Sequence, residues 1–145
     1  MINRYALALG ALLLLLPLLG GCFQDEDNTY QGPLQVEFKP LARTVNNGSG
    51  LQVLNVQLIG PHQAQPLNVR AVRAPESTAV EGVHYDLIDG GQFQIPAQSS
   101  FGEVRVNVRS APTGGVLILE LQDGANGEFI AAQNLKRFTL TIRNP

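Results

Sequence analysis

The sequence predicts an all-β protein, a single antiparallel sandwich of seven or eight short strands. Apolar and polar residues alternate with a period of two along most of the chain after residue 33, as in strands with one buried face. Groups of Gly, Pro, Asn and Asp recur between these stretches and indicate turns. No segment in that part of the sequence shows the apolar stripe of a helix.

The first four predicted strands cover about 34–39, 51–59, 67–74 and 84–88. Val36 and Phe38 flank Glu37 in the first of them. The second carries its apolar residues at every other position, namely Leu54, Val56 and Leu58. In the third, Arg70 and Arg73 have opposite parity and cannot form one stripe in a regular strand.

The last four predicted strands cover about 92–95, 102–109, 115–122 and 137–143. Three of them alternate clearly, with inward sets Val104, Val106 and Val108; Leu117, Leu119 and Leu121; and Phe138, Leu140 and Ile142. Val116 and Ile118 make the seventh strand apolar on both faces. Short strands with turns every 8–12 residues or so predict an immunoglobulin-like sandwich.

The first 21 residues predict a cleavable export signal. Arg4 supplies a positive charge, and residues 5–19 form an apolar run shorter than the roughly 20 residues that span a bilayer. Pro17 favours the end of a helix near the cleavage site. Removing Arg4 with this leader makes the formal net charge one unit more negative than −2.

The residues that close the leader resemble the lipobox of bacterial lipoproteins: Leu19, Gly20, Gly21 and Cys22. Small residues fit the peptidase, and the Cys22 thiol supplies the nucleophile that accepts a diacylglyceryl group. The resemblance implies a second acylation at the new amino terminus, and two or more chains give a stable membrane anchor. The alternative, an ordinary buried cysteine, leaves unexplained why an exported chain contains a single Cys.

Residues 22–33 are interpreted as a lipidated tether, and residues 34–145 as the sandwich domain. Asp25, Glu26 and Asp27 make the tether acidic, and anionic headgroups would repel them. The run resembles the short export tag that directs lipoproteins of the Bacteroidota to the outer face of the outer membrane. We therefore expect a surface-exposed outer-membrane lipoprotein, with a plain solvated tether as the alternative.

The centre of the chain resembles a Calx-beta domain. Residues 77–85 read Ser-Thr-Ala-Val-Glu-Gly-Val-His-Tyr, and a strand, an Ile-Pro-Ala-Gln turn and a Val-rich strand follow. His84 stands where the family pattern has Asp, and Gln98 where it has Gly. The same arrangement, including Gly-x-His-Tyr, resembles small uncharacterised lipoproteins of the Bacteroidota. The resemblance covers roughly 34–142, with its specific motifs in about 30 residues.

Calcium-binding members of that family use carboxylates from an early Glu and from an acidic loop before the late strands. The corresponding loop here, 110–115, contains no acid, whereas Ca²⁺ needs about six to eight oxygen ligands. We therefore expect no metal and no cofactor beyond the covalent lipid. A calcium-binding adhesion module with a site at Glu81, Asp86 and Asp89 stays open as an alternative.

The sequence offers no convincing catalytic residues, so we expect a non-enzymatic protein. His62 follows a Gly-Pro turn, and His84 is interpreted as bonding the neighbouring turn or pointing outward while Tyr85 caps the core. The serines lie in loops without a Gly-x-Ser-x-Gly elbow. A small glycan-active hydrolase is the second alternative, but Glu120 lies in mid-strand and the sequence cannot place it opposite another carboxylate.

The expected partners are the membrane, through the lipid, and an outer-membrane protein or a glycan. Nucleic acid is excluded, because the chain is mildly acidic, has only Lys39 and Lys136 as lysines, and contains no Trp. Arg105 and Arg109 share one strand face and could hold an acidic glycan, although a solvated face is the favoured interpretation. The function expected is binding or assembly at the bacterial cell surface.

Overall fold

The computed structural model describes residues 30–144. The predicted leader, the lipobox residues Leu19, Gly20 and Gly21, and the lipidation site Cys22 lie outside the described residues. Between residues 30 and 144, no helix is long and apolar enough to cross a membrane.

Within residues 30–144, ten strands, numbered in chain order, form two five-stranded sheets, more than the seven or eight strands that the alternating pattern predicts. They are β1 (Gln35–Phe38), β2 (Ala42–Asn46), β3 (Gly50–Ile59), β4 (Leu67–Arg73), β5 (Tyr85–Leu87), β6 (Gln92–Ile95), β7 (Phe101–Val108), β8 (Gly115–Leu121), β9 (Ile130–Ala131) and β10 (Arg137–Arg143). Sheet 1 has the order β5-β7-β3-β1-β9, and sheet 2 the order β2-β10-β8-β4-β6. The all-β sandwich predicted from the sequence is confirmed.

The core lies between the two sheets and contains the inward sets that the alternation predicts. Val104 and Val106 of β7 and Leu117 and Leu119 of β8 belong to this core, and all four are essentially inaccessible to solvent. Phe38 and Phe138 pack with ring centroids 5.4 Å apart and link the first strand to the last. Burial of these side chains, at roughly 25 cal/mol per Å² of apolar surface, is the main force that holds the sheets together.

The first strand departs from the predicted polar-out pattern. Glu37 lies on the face opposite Val36 and Phe38, yet it is only 8% exposed. The strand is flanked on one side by β3, antiparallel, and on the other by β9, parallel. The two neighbouring strands therefore shield a residue that the alternation alone would place in water.

Candidate functional site

The candidate site lies where sheet 1 is incomplete. Strand β3 pairs with β7 from Gly50↔Val108 to Gln57↔Phe101, along the whole of β7. On its other edge, β7 pairs with β5 only at Val106, Asn107 and Val108. The first part of β7 therefore has a neighbouring strand on one side only.

A sharp turn at Ile88–Gly91 creates this gap by taking the chain from sheet 1 to sheet 2. Asp89, Gly90 and Gly91 have φ values of 52°, 59° and 77°, so three consecutive residues are left-handed and β5 cannot continue. Gly91 also packs against the carbonyl oxygen of Ala71, where a Cβ would collide. The chain then enters β6, which pairs with β4 of the other sheet.

Gly102 brings β6 close to β7 at the bottom of the gap. A Cβ at this position would lie 2.9 Å from the carbonyl oxygen of Gln94 and 3.0 Å from Cδ2 of Phe93. The close approach closes the floor of the gap, while its outer part stays open as a groove.

The groove has a volume of about 670 Å³ and combines apolar, amide and charged side chains. Its lining residues are Asn55, Ile88, Asp89, Gln92, Phe93, Gln94, Pro96, Phe101, Gly102, Glu103 and Arg105. Phe101 is 54% exposed, a large unshielded area for an aromatic ring. Such a mixture of an open apolar surface and nearby polar groups suits recognition of a ligand.

The three residues of the alternative calcium site, Glu81, Asp86 and Asp89, have different surroundings. Oε1 of Glu81 accepts a hydrogen bond from the backbone N–H of Leu87 at 3.2 Å. Asp86 accepts two hydrogen bonds from Nη1 of Arg109, at 2.7 Å to Oδ1 and 2.9 Å to Oδ2. Asp89 lines the groove. Within residues 30–144, no group of three or more His, Cys, Asp or Glu side chains has the arrangement of a metal site.

His84 has the structural role favoured from the sequence. Its Nδ1 accepts a hydrogen bond from the backbone N–H of Val80 at 3.0 Å, and its Nε2 lies 3.2 Å from Oγ1 of Thr113. The interpretation that it bonds the neighbouring turn is confirmed. Tyr85 beside it is fully buried in the core, and burial raises the pKa of its hydroxyl.

His62 is an exposed loop residue, as expected, but it has one partner that the sequence did not reveal. Its Nε2 lies 2.8 Å from Oγ of Ser100, 38 positions later in the chain. Catalytic pairs of this kind use a third group to orient the ring. In the part of the chain that the structure describes, no carboxylate bonds to His62.

The two arginines predicted on one face of β7 differ in their contacts. Arg109 is held by Asp86, so its guanidinium is already occupied. Arg105 lines the groove, together with Asp89 and Glu103. The pair therefore does not form a free basic clamp for an acidic glycan.

Glu120 and Glu76 belong to an ion-pair network on sheet 2. Lys136 Nζ lies 2.8 Å and Arg137 Nε 2.7 Å from the carboxylate oxygens of Glu120, and Arg137 Nη1 lies 3.1 Å from Glu76. The hydrogen bond from Lys136, and then that from Arg137, hold the pKa of Glu120 below its usual range. The carboxylate of Glu120 is thus paired with two cationic side chains and has a structural role.

The groove was not predicted, because its residues come from three separate stretches of the sequence, at 55, 88–96 and 101–105. Only Asp89 and Arg105 among them were singled out in advance. The signal that could have indicated it is the Asp-Gly-Gly run at 89–91, which marks a sharp turn between two strands of different sheets.

These features define the protein's architectural class as a β-sandwich with a Calx-beta-like fold. The comparisons with known proteins agree with that class. The crystal structure of the apo form of the Calx CBD1 domain superposes with a TM-score of 0.63 at 18% identity, covering 79% of this chain and 99% of that one.

Two further Calx structures show the same fold. CBD12 from CALX1.2 superposes with a TM-score of 0.61 at 18% identity, over 76% of this chain. The calcium binding domain CBD12 of CALX1.1 gives 0.57 at 16% identity, over 77% of this chain. This chain spans 44% of each of those two. No protein-family model and no curated protein matches the sequence.

Proposed function

We propose that the protein is a lipid-anchored, non-catalytic binding module of the bacterial envelope, which serves binding or assembly at the cell surface. The observation that carries this proposal is the groove beside β7, where an exposed Phe101 adjoins amide and charged side chains. The sequence at Leu19–Cys22 supports the anchor, and the acidic tether supports an outer-membrane, surface-exposed location.

The fold supports an entry point for the tether close to one end of the groove. Tyr30 lies beside Gly60, immediately after the end of β3, and Phe101 pairs with Gln57 near that same end. The tether would therefore enter the domain near the Phe101 end of the groove. A tether of about a dozen residues holds the site near the membrane and raises the effective concentration of any envelope partner.

The environment of the groove supports binding rather than hydrolysis. Asp89 and Glu103 are both exposed to solvent. A glycosidase needs one carboxylic acid that stays protonated at neutral pH, which requires an apolar environment or a neighbouring negative charge. The small hydrolase remains the weaker alternative for that reason.

Glycan capture is a second candidate for this module, and the lining of the groove favours it. Phe101 can stack on the apolar face of a sugar ring, while Asn55, Gln92 and Gln94 can exchange hydrogen bonds with hydroxyl groups. Asp89 and Glu103 outnumber Arg105, so a neutral sugar fits the groove better than an acidic one.

The anchor is tested by expressing the full-length chain in a bacterium that processes lipoproteins. We expect palmitate labelling, recovery in the outer membrane, and cleavage by protease added to intact cells. The Cys22→Ala variant should carry no palmitate label and should not be recovered with the outer membrane. Recovery of the unaltered protein in the soluble fraction would contradict the proposed anchoring.

Groove binding is tested on the purified lipoprotein in detergent, by melting it against a panel of neutral oligosaccharides. We expect a glycan-dependent rise in Tm that Phe101→Ala abolishes. Leu51→Ala is the matched control, because Leu51 is 58% exposed on sheet 1 but lies outside the groove. A glycan-dependent rise in Tm that persists in the Phe101→Ala variant would show that the glycan binds outside the groove.

A further inference from the structure

A second pocket lies beside the groove, on the β4 side of β6. Strand β6 is the last strand of sheet 2, so it pairs with β4 on one side and borders the groove on the other. The second pocket has a volume of about 290 Å³, close to the lower end of the range of small-molecule sites, roughly 300–1,000 Å³. Its size therefore suits one small unit of a longer ligand.

The groove and the second pocket are continuous across β6. Four residues line both of them: Asp89, Gln92, Phe93 and Gln94. The second pocket adds Asn68 and Val69 of β4, which lie directly opposite Gln94 and Phe93 in the pairing of the two strands. A ligand that extends from the groove over β6 would therefore enter the second pocket.

A hydrogen bond between Asn68 and Gln94 orients both amides in the second pocket. Nε2 of Gln94 donates to Oδ1 of Asn68 at 2.8 Å. The bond leaves Oε1 of Gln94 to accept and Nδ2 of Asn68 to donate, and both side chains are exposed to solvent. A hydroxyl group matches this pair, because it can donate to one amide and accept from the other.

The other residues shared by the two cavities also suit a hydroxylated ligand. Gln92 and Gln94 point to the same face, because they are two positions apart on β6. The exposed carboxylate of Asp89 can only accept, so it favours hydroxyl groups and disfavours an anion. Phe93 is half-buried and adds apolar surface to both cavities, which suits the C–H face of a sugar ring.

We propose that the second pocket is a further sugar subsite, and that the ligand is a linear neutral oligosaccharide that crosses β6 from the groove. Each end of such a chain presents the same chemistry, an apolar ring face with hydroxyl groups at its rim, and so does each cavity. This inference rests on the proposed capture of a glycan in the groove and specifies the length and shape of that glycan.

The dependence of affinity on ligand length is the first test. The probes are unbranched oligomers of glucose, mannose and N-acetylglucosamine, each from one to six units. Their Kd values are measured by calorimetry on the full-length protein in detergent. We expect at least one series to bind, with a Kd that falls by about threefold to tenfold at the length that first reaches the second pocket.

Asn68 distinguishes the two cavities, because it lines the second pocket and not the groove. Asn68→Ala should remove the gain in affinity for the longer oligomers and change the Kd of the short ones by less than about twofold. Gln94 lines both cavities, so Gln94→Ala should weaken binding at every length.

Two further variants complete the comparison. Phe101 lines the groove and not the second pocket, so Phe101→Ala should also weaken binding at every length. Asn134→Ala is the matched control for the amide variants, because Asn134 is an exposed amide that lines neither cavity. It should leave all Kd values unchanged. Melting curves without ligand check that each variant is folded.

Three results would overturn the inference: no binding by any oligomer, equal affinity at all lengths, or a loss in Asn68→Ala that is the same at every length. Length-independent binding that Phe101→Ala abolishes would leave the proposed function of the groove in place and reject the second subsite. Length-dependent binding that requires Asn68 and not Phe101 would reject the groove and retain the second pocket as a sugar site.

Discussion

Glu120 shows how a single side chain on the outer face of a sheet can tie two segments together. It lies on β8, and its partners Lys136 and Arg137 lie at the start of β10. Arg137 also reaches Glu76 in the turn after β4, so three segments of the chain share one network. Exposed pairs are individually weak, but a network centred on a partly buried carboxylate contributes measurably.

We predict that Glu120→Gln lowers the free energy of unfolding at neutral pH by about 0.5–1 kcal/mol. Because its cationic partners lower the folded-state pKa of Glu120 from the ordinary 4.5, the stabilisation is present above that value and is lost as pH falls through the folded pKa. Urea denaturation at neutral pH and at about pH 3 checks this.

The control for that experiment is Glu128→Gln, since Glu128 forms no ion pair in the described part of the chain. It should leave stability unchanged at both pH values. An equal loss for Glu120→Gln at both pH values would show that the carboxylate charge is not responsible.

At the level of single residues, sequence alternation predicted which apolar side chains enter the core. Val104, Leu117 and Phe138 lie inward, because alternate side chains of a strand point to the same face and the apolar set is the one that becomes buried. Arg43 could not be predicted in the same way. Its guanidinium bonds to the Val53 carbonyl on the opposite sheet, a contact that depends on where β1 ends.

The turn between β5 and β6 is the element that opens the groove. Its left-handed residues end β5 after three positions and redirect the chain to sheet 2. The turn tolerates Asp89 because Asp adopts this conformation more readily than most residues do. The size of the groove therefore depends on a short segment that carries little of the core.

We predict that Gly91→Ala destabilises the protein more than Gly90→Ala does. Both positions are left-handed, with φ values of 77° and 59°, so both substitutions cost about 1–2 kcal/mol of backbone strain. Only at Gly91 would the new Cβ meet the Ala71 carbonyl oxygen, because nothing lies within 4 Å of a Cβ at Gly90. Overpacking adds about 1–3 kcal/mol.

Thermal melting of both variants measures the difference. Equal losses of Tm would show that the backbone beside Ala71 moves freely, and that the turn does not fix the width of the groove. Oligosaccharide binding by the Gly91→Ala variant would then be expected to be unchanged.

Eight of the ten strands were predicted to within about two residues at each end, because each alternates over several positions. Two strands were missed. Strand β9 has only two residues, too few for any period to be recognised. Strand β2, Ala42–Asn46, pairs in parallel with β10. It was missed because Arg43, a charged residue, occupies an inward position where the alternation would require an apolar residue.

At the scale of the whole molecule, the fold was accessible from sequence and the groove was not. Alternation and turns define the two sheets, and the superposition on the Calx CBD1 domain confirms the Calx-beta-like architecture. The groove depends on how far each strand extends along its neighbour. That property is decided by turn geometry and by packing at Gly91 and Gly102 rather than by local pattern.

We predict that calcium does not change the melting temperature of the full-length protein. Both Asp86 oxygens accept hydrogen bonds from Arg109, and one oxygen of Glu81 accepts from the Leu87 backbone, so Ca²⁺ would have to displace these donors. Melting curves in calcium and in excess chelator test this. A calcium-dependent rise that Asp86→Asn removes would support the adhesion-module alternative.

The order of strands in sheet 1 has a mechanical consequence. Strand β3 separates β1, where the chain enters the sandwich, from β7, which borders the groove. A pull between the entering chain and a ligand in the groove would pass through both of the ladders that flank β3. Four residue pairs join β1 to β3 and eight join β3 to β7, so the shorter ladder would yield first under load.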